Sequence, residues 1–153
     1  MEYIVIKDTR EKKGWDFSSS KGCLEMVERK LDTGDYSLDG YENTLCIERK
    51  ECVAEFATNV NEDRFARELE RMVEIEMAFI ILEFTMEDLL KFPRQLPPAV
   101  RKRISYNGYY LLKKLIDLQF EYPTVNIIFA GRKGKDYVSS IFKRTLEHYE
   151  EEE

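Results

Sequence analysis

The chain has 153 residues, 43% of them hydrophobic and 35% charged, with 24 Lys+Arg against 30 Asp+Glu and a net charge of −6. That is the size and composition of one soluble globular domain, able to bury roughly two thirds of its unfolded surface, and not of a disordered chain. The longest apolar run, Met77 to Leu82, is far too short to span a bilayer, and the first residues lack the basic-then-apolar pattern of a secretory leader, so a cytoplasmic, non-secreted protein of a bacterial or phage-infected cell is expected.

Taken in chain order, Tyr3 to Ile6 is a short apolar run that predicts a buried strand, followed by the charged cluster Asp8-Thr9-Arg10-Glu11. Ser18 to Ser20 cap a predicted helix over residues 21–31, with Leu24, Val27 and Leu31 on one face. Thr33-Gly34-Asp35 turns into a strand at Tyr36 to Leu38, Asp39-Gly40 is a hairpin signal, and Thr44 to Arg49 is the return strand. Asn61 or Asp63 caps a strongly amphipathic helix over Arg64 to Glu76, and Ala78 to Glu83 is a second apolar strand. Thr85 caps a short helix with Glu87 and Asp88 near its start, and three prolines between residues 93 and 98 break the chain. Ser105 caps a helix from Tyr106 to Glu121, Val125 to Ala130 is a third apolar strand, and Tyr137 to Tyr149 is the last helix. Apolar strands separated by helices predict an α/β sandwich, and the hairpin makes its sheet mixed. Residues 1–149 read as one domain, with an acidic, disordered tail at 150–153.

Cysteine and histidine exclude several chemistries. Three cysteines with no CxxC pair do not make a disulfide framework, and Cys52 has no base beside it to make a nucleophile. One histidine, His148, in the tail excludes a His-based metal centre or a Ser/His/Asp triad in the core. Hydrolysis would have to run on carboxylates, Lys, Tyr or Cys. The acidic total also hides a basic stretch: Arg94 to Lys114 carries six Lys or Arg and no Asp or Glu.

Functional side chains gather at strand ends, in Asp8-Thr9-Arg10-Glu11, Gly34-Asp35-Tyr36 and Glu48-Arg49-Lys50. Alternate strand residues share a face, so Glu48 and Lys50 point one way and Arg49 the other. Twelve residues separate Asp35 from Glu48, which suits a hairpin that brings the two carboxylates together. Two carboxylates and a lysine on one rim suit Mg²⁺, which takes oxygen ligands, keeps several waters and can activate one of them against a phosphate.

These residues resemble the XPF-type nuclease domain, a branch of the restriction-endonuclease-like PD-(D/E)xK superfamily. The resemblance rests on Ile6 to Glu11, on Gly34-Asp35-Tyr36, on Ile47-Glu48-Arg49-Lys50, and on Arg64 to Leu69 with the strand that follows. It implies a restriction-endonuclease-like α/β core, with a mixed sheet flanked by helices. It further implies Asp35 and Glu48 as principal metal ligands, Lys50 as the catalytic lysine, Asp8 as a supporting carboxylate or third ligand, and Arg10 as a residue that holds the site or contacts phosphate. Glu11 would be a weaker member of the group, and Arg49 would make either a structural ion pair or a DNA-backbone contact. The cofactor implied is Mg²⁺, with Mn²⁺ able to substitute. Where the family often has an acidic residue four positions beyond the lysine, this chain has Ala54, with Glu55 one place on.

Arg64, Arg67 and Arg71 recur at helical spacing with Glu68 and Glu70 between them, the pattern of a salt-bridged face, and Arg64 is the best candidate there for a phosphate contact. Arg101, Lys102 and Arg103, near Tyr106, Tyr109 and Tyr110, form a candidate DNA platform. The function implied is a metal-dependent DNA endonuclease acting on flap, fork or junction DNA in repair or recombination. The alternatives are a less specific nuclease and a catalytically silent DNA-binding or scaffolding module of the same fold. The tandem helix-hairpin-helix module of larger relatives has no room here, so substrate recognition is expected from this domain, a homodimer or a partner chain.

Overall fold

Alternation along one strand sets the plan. In β4 (Leu45–Lys50), Leu45 and Ile47 face one apolar layer, whereas Cys46 faces another, with Glu48 and Lys50 on its side. The computed structural model describes residues 1–150. Its sheet has six strands in the order β2-β1-β3-β4-β5-β6, with β1 Tyr3–Lys7, β2 Cys23–Glu28, β3 Tyr36–Leu38, β5 Met77–Leu82 and β6 Val125–Phe129. Strand β3 is antiparallel to β1 and β4, and the other neighbouring pairs are parallel, so the sheet is mixed as expected.

One face is covered by α1 (Val53–Asn59), α2 (Asp63–Val73), α3 (Met86–Lys91) and α5 (Gly108–Glu121), whose Phe56, Leu69, Leu89 and Leu111 pack with Cys46, Ile80 and Leu82. The other is covered by α6 (Gly134–Glu150) and the β1–β2 connection, through Phe142, Val138, Trp15 and Phe17. Trp15 is a core residue, against Tyr36 and Phe17. A short α4 (Pro98–Arg101) follows the prolines.

The helix predicted over 21–31 is instead strand β2, paired in parallel with β1 from Tyr3↔Cys23 to Lys7↔Glu28. The three-residue spacing of Leu24 and Val27 does not report a buried helical face: Leu24 is 61% exposed on an edge strand. Backbone pairing to β1, which only the tertiary structure supplies, outweighs a weak helical period.

Helix boundaries also move. α2 starts at Asp63 and stops at Val73, and neither Asn61 nor Asp63 caps it; Glu62 holds the cap position without a side-chain cap bond. α5 starts at Gly108, capped by Asn107, whose Oδ1 accepts from the N–H groups of Tyr109 and Tyr110. Gly108 is required by contact: a Cβ there would lie 2.2 Å from the Leu89 carbonyl oxygen, so α3 and α5 could not approach. Thr85 and Asp88 form the expected capping box of α3. α6 runs through Glu150, past the expected Tyr149; the rest of the expected acidic tail, 151–153, lies outside the described residues. No helix among the described residues is long and apolar enough to cross a membrane.

Candidate active site

Strand register brings the acidic residues together. Tyr36 pairs with Ile47 across β3 and β4, and the Asp35 N–H donates to the Ile47 carbonyl at 2.8 Å. On the opposite side, the Asp8 N–H donates to the Asp35 carbonyl at 2.8 Å. The end of β1, the start of β3 and the end of β4 therefore meet at one edge. Gly34 makes the approach possible: its φ is +84°, and a Cβ would lie 2.5 Å from Cys46 Sγ and 3.0 Å from the Ile47 carbonyl oxygen. The Asp35 side chain turns onto β4, where its Oδ2 accepts from the Arg49 N–H at 2.8 Å.

Glu48 and Lys50 lie on the α1/α2 side, 7% and 5% exposed. Lys50 Nζ is 3.7 Å from Glu48 Oε1, donates to Asn59 Oδ1 at 2.8 Å, and sits 4.8 Å from the centroid of the Phe65 ring. Burial pulls the Lys50 ammonium below its ordinary range, opposed by the charges of Glu55 and Asp35. Burial pushes Asp35 above the usual carboxylate range, partly offset by the Arg49 N–H and the Lys50 charge.

Asp8 is also buried, but both its oxygens are engaged. Oδ1 accepts from the Leu31 N–H at 2.7 Å, and Oδ2 from Arg10 Nε at 2.7 Å and from the Arg10 N–H. Burial raises its pKa, yet the hydrogen bonds from Arg10 and Leu31 outweigh that and hold it below the usual range. Arg10 also donates to the Leu31 carbonyl, and its side chain stays 66% exposed. Arg49 is ion-paired, one of its two expected roles. Its guanidinium pairs with Glu83, lies 3.8 Å from Glu11 and 3.9 Å from Glu51, and covers the Trp15 ring.

A cleft of about 570 Å³ opens over these groups. Its inner part is acidic, from buried Asp8 and Glu48 and half-buried Asp35 and Glu68, and its exposed rim carries Arg10, Lys12, Lys13, Arg64 and Arg71 against Asp32 and Glu51. Arg64, Glu68 and Arg71 are spaced i, i+4, i+7 along α2 and line the cleft together; Arg67, expected on the same side, does not. Glu68 is pushed up to about 7, first by burial and then by the Asp35 charge. Glu11 is likewise raised to about 7 by burial and Asp35, despite Arg49.

Glu68 and Asn59 are site residues that the sequence reading did not single out. The i, i+4, i+7 stripe on α2 and the i, i+4 pair Glu55 and Asn59 on α1 were the available signals. Both need the packing of helices on the sheet before they point anywhere. Arg101, Lys102 and Arg103 are exposed at the end of α4 and do not line the cleft. They precede the start of α5, where Tyr110 Oη donates to Asn61 Oδ1 in the α1–α2 connection at 3.3 Å.

No three His, Cys, Asp or Glu side chains among the described residues converge into a ready-made cation cage. The donor set still fits a hard divalent ion. Asp35 Oδ1 and both Glu48 oxygens accept no hydrogen bond among the described residues, and all belong to the cleft. Mg²⁺ commonly takes one or two carboxylates, waters and substrate phosphate oxygens rather than an all-protein cage.

The sheet order, the carboxylate–lysine edge and the helices over it define a restriction-endonuclease-like α/β fold of the XPF nuclease type. The model of the ERCC4 domain matches residues 7–141, and the chain belongs to that family. Among solved structures, XPF from Aeropyrum pernix is similar at 24% identity and a TM-score of 0.63, over 93% of this chain and 60% of that one. XPF from the same organism in complex with DNA is similar at 23% identity and a TM-score of 0.64, over 96% of this chain and 66% of that one. This chain thus spans about three fifths to two thirds of the relatives it matches. No curated protein matches it significantly.

Proposed function

We propose that the chain is a metal-dependent DNA endonuclease that hydrolyses phosphodiesters in branched or partly single-stranded DNA. One observation carries this reading: the open oxygens of Asp35 and Glu48 share a cleft with the buried ammonium of Lys50, beneath a rim on which five Lys or Arg outnumber Asp32 and Glu51. A silent module has no physical need to bury two mutually repelling carboxylates beside a lysine.

Asp35 and Glu48 would hold Mg²⁺, or Mn²⁺ in its place. A bound ion of this kind lowers the pKa of water and offsets charge on a phosphate. Lys50 presents a fixed ammonium to the charge that builds on the phosphoryl oxygens, in a site whose burial strengthens the interaction. Asp8 is the supporting carboxylate: with both oxygens engaged, it ties the end of β1 to Leu31 and orients Arg10. Arg10 keeps donors free for a flanking phosphate. Arg64, across the cleft, is the second phosphate contact, and Arg101, Lys102 and Arg103 extend the basic surface beyond α4. Arg49 serves by position, because its donors are taken by carboxylates. A domain active on cellular or phage DNA would work in the cytoplasm, alone, as a homodimer or with a partner chain.

The test is cleavage of labelled flap, fork, junction, single-strand and linear duplex DNA in Mg²⁺, Mn²⁺ and EDTA. Metal-dependent cutting that Asp35→Ala and Lys50→Ala each reduce by at least about 100-fold supports the reading, and the substrate ranking decides the branch preference. Wild-type protein that binds these DNAs and cuts none, with or without metal, refutes it in favour of the silent module.

A further inference from the structure

The position of Lys50 is not set by its strand alone. A lysine has four rotatable side-chain bonds, and burying its ammonium costs free energy unless each donor is met. Here the head is enclosed by three neighbours: Glu48 on its own strand, the Phe65 ring from α2, and Asn59 at the end of α1. Asn59 makes the only hydrogen bond to Nζ among the described residues, at 2.8 Å; the Glu48 carboxylate stands off at 3.7 Å.

Asn59 is itself held. Its Nδ2 donates to Glu62 Oε1 at 2.9 Å, and its backbone carbonyl accepts from the Glu62 N–H at 2.9 Å. An ammonium can only donate and a carboxylate can only accept, so one orientation of the amide satisfies both partners. The α1–α2 connection that carries this arrangement is tied from its outer side by the Tyr110 hydroxyl to Asn61. Glu55, one turn earlier on the same face of α1, acts on Lys50 through its charge but makes no hydrogen bond to it; its Oε2 accepts from the Glu51 N–H at 3.0 Å.

We infer that Asn59, oriented by Glu62, is the positioning residue for the Lys50 ammonium, and that the pair acts on turnover rather than on DNA binding. The inference rests on the nuclease reading above for its catalytic consequence, and on the geometry alone for its structural one. Asn59→Leu keeps the shape and removes the acceptor. Asn59→Asp keeps an acceptor for Lys50 but sets a second carboxylate against Glu62. Adding Glu62→Gln to Asn59→Asp reverses the donor and acceptor between residues 59 and 62 and restores both bonds.

Two measurements test this. In steady-state cleavage, Asn59→Leu is expected to lower kcat about 10- to 100-fold with KM for DNA unchanged. Asn59→Asp with Glu62→Gln should recover most of the kcat lost in Asn59→Asp alone. In ¹⁵N-resolved NMR of the lysine ammonium groups, assigned with Lys50→Arg, Lys50 should show slowed hydrogen exchange and restricted motion in the wild type. Both should be lost in Asn59→Leu and regained in the double variant. A Lys50 ammonium as mobile as surface lysines overturns the inference, as does an Asn59→Leu protein with wild-type kcat, or a loss that falls on KM. A protein that cuts no DNA overturns the nuclease reading separately; the NMR result then decides the positioning claim by itself.

Discussion

Individual carboxylates in this protein behave according to what surrounds their oxygens, not according to residue type. Asp8 and Asp35 stand at neighbouring strand ends, yet Asp8 is held low by Arg10 and Leu31 while burial pushes Asp35 up. Glu68 is the most testable member of the group. Its folded pKa of about 7 lies above the ordinary 4.5, so the folded state binds its proton more tightly than the unfolded chain does. Its contribution to stability is therefore fully present below about 4.5 and lost as pH rises through about 7. Thermal melts in EDTA should show the wild-type Tm falling between pH 5 and pH 8. Glu68→Gln, which cannot ionise, should flatten that fall and raise Tm at pH 8. A Glu68→Gln profile that parallels the wild type would show that Glu68 is an ordinary exposed acid.

At the scale of the element, α2 shows how a helix can serve core and cleft at once. Phe65, Leu69 and Met72 are buried, while Arg64, Glu68 and Arg71 form the adjacent stripe along the cleft. Arg67 falls further round and is exposed. The three arginines look equivalent in the sequence, but their distances to a bound phosphate would differ. Arg64→Ala and Arg71→Ala should each weaken DNA binding several-fold and reduce the salt slope by about 1. Arg67→Ala should leave affinity and slope unchanged, with binding followed by fluorescence anisotropy across a salt series. Equal losses from all three would mean that DNA contacts the outer face of α2.

The whole molecule is two apolar layers on one sheet, and the site belongs mainly to one of them. Phe142 lies in the other layer, with its ring 5.1 Å from Phe17 and 5.8 Å from Tyr3. Phe142→Ala should cost about 3–5 kcal/mol and lower Tm by roughly 10 °C for a domain of this size. Because Glu48, Lys50 and α2 stand on the opposite face, the folded fraction should keep its cleavage rate at a temperature well below the lowered Tm. Arg49 bridges the layers: its guanidinium lies over the Trp15 ring and pairs with Glu83 and with Glu11, which lines the cleft. A rate that fell in proportion to stability would show that the second layer shapes the site through that bridge.

The sequence by itself determined the α/β class, five of the six strands and the Asp35, Glu48 and Lys50 grouping. These rest on local rules: a short apolar run makes a buried strand, a two-residue period sets faces, and a Gly-Asp turn before a hairpin joins two strand ends. Only the tertiary structure decided that residues 23–28 form an edge strand, because that depends on backbone pairing with β1 across the Trp15 connection. It also decided that Asp8 is tied to Leu31 and that Arg49 is enclosed by carboxylates, because their partners lie 23 and 34 positions away. Asn59 and Glu68 became site residues for the same reason. A helix period shows which residues share a face, but what that face meets is fixed by packing against the sheet.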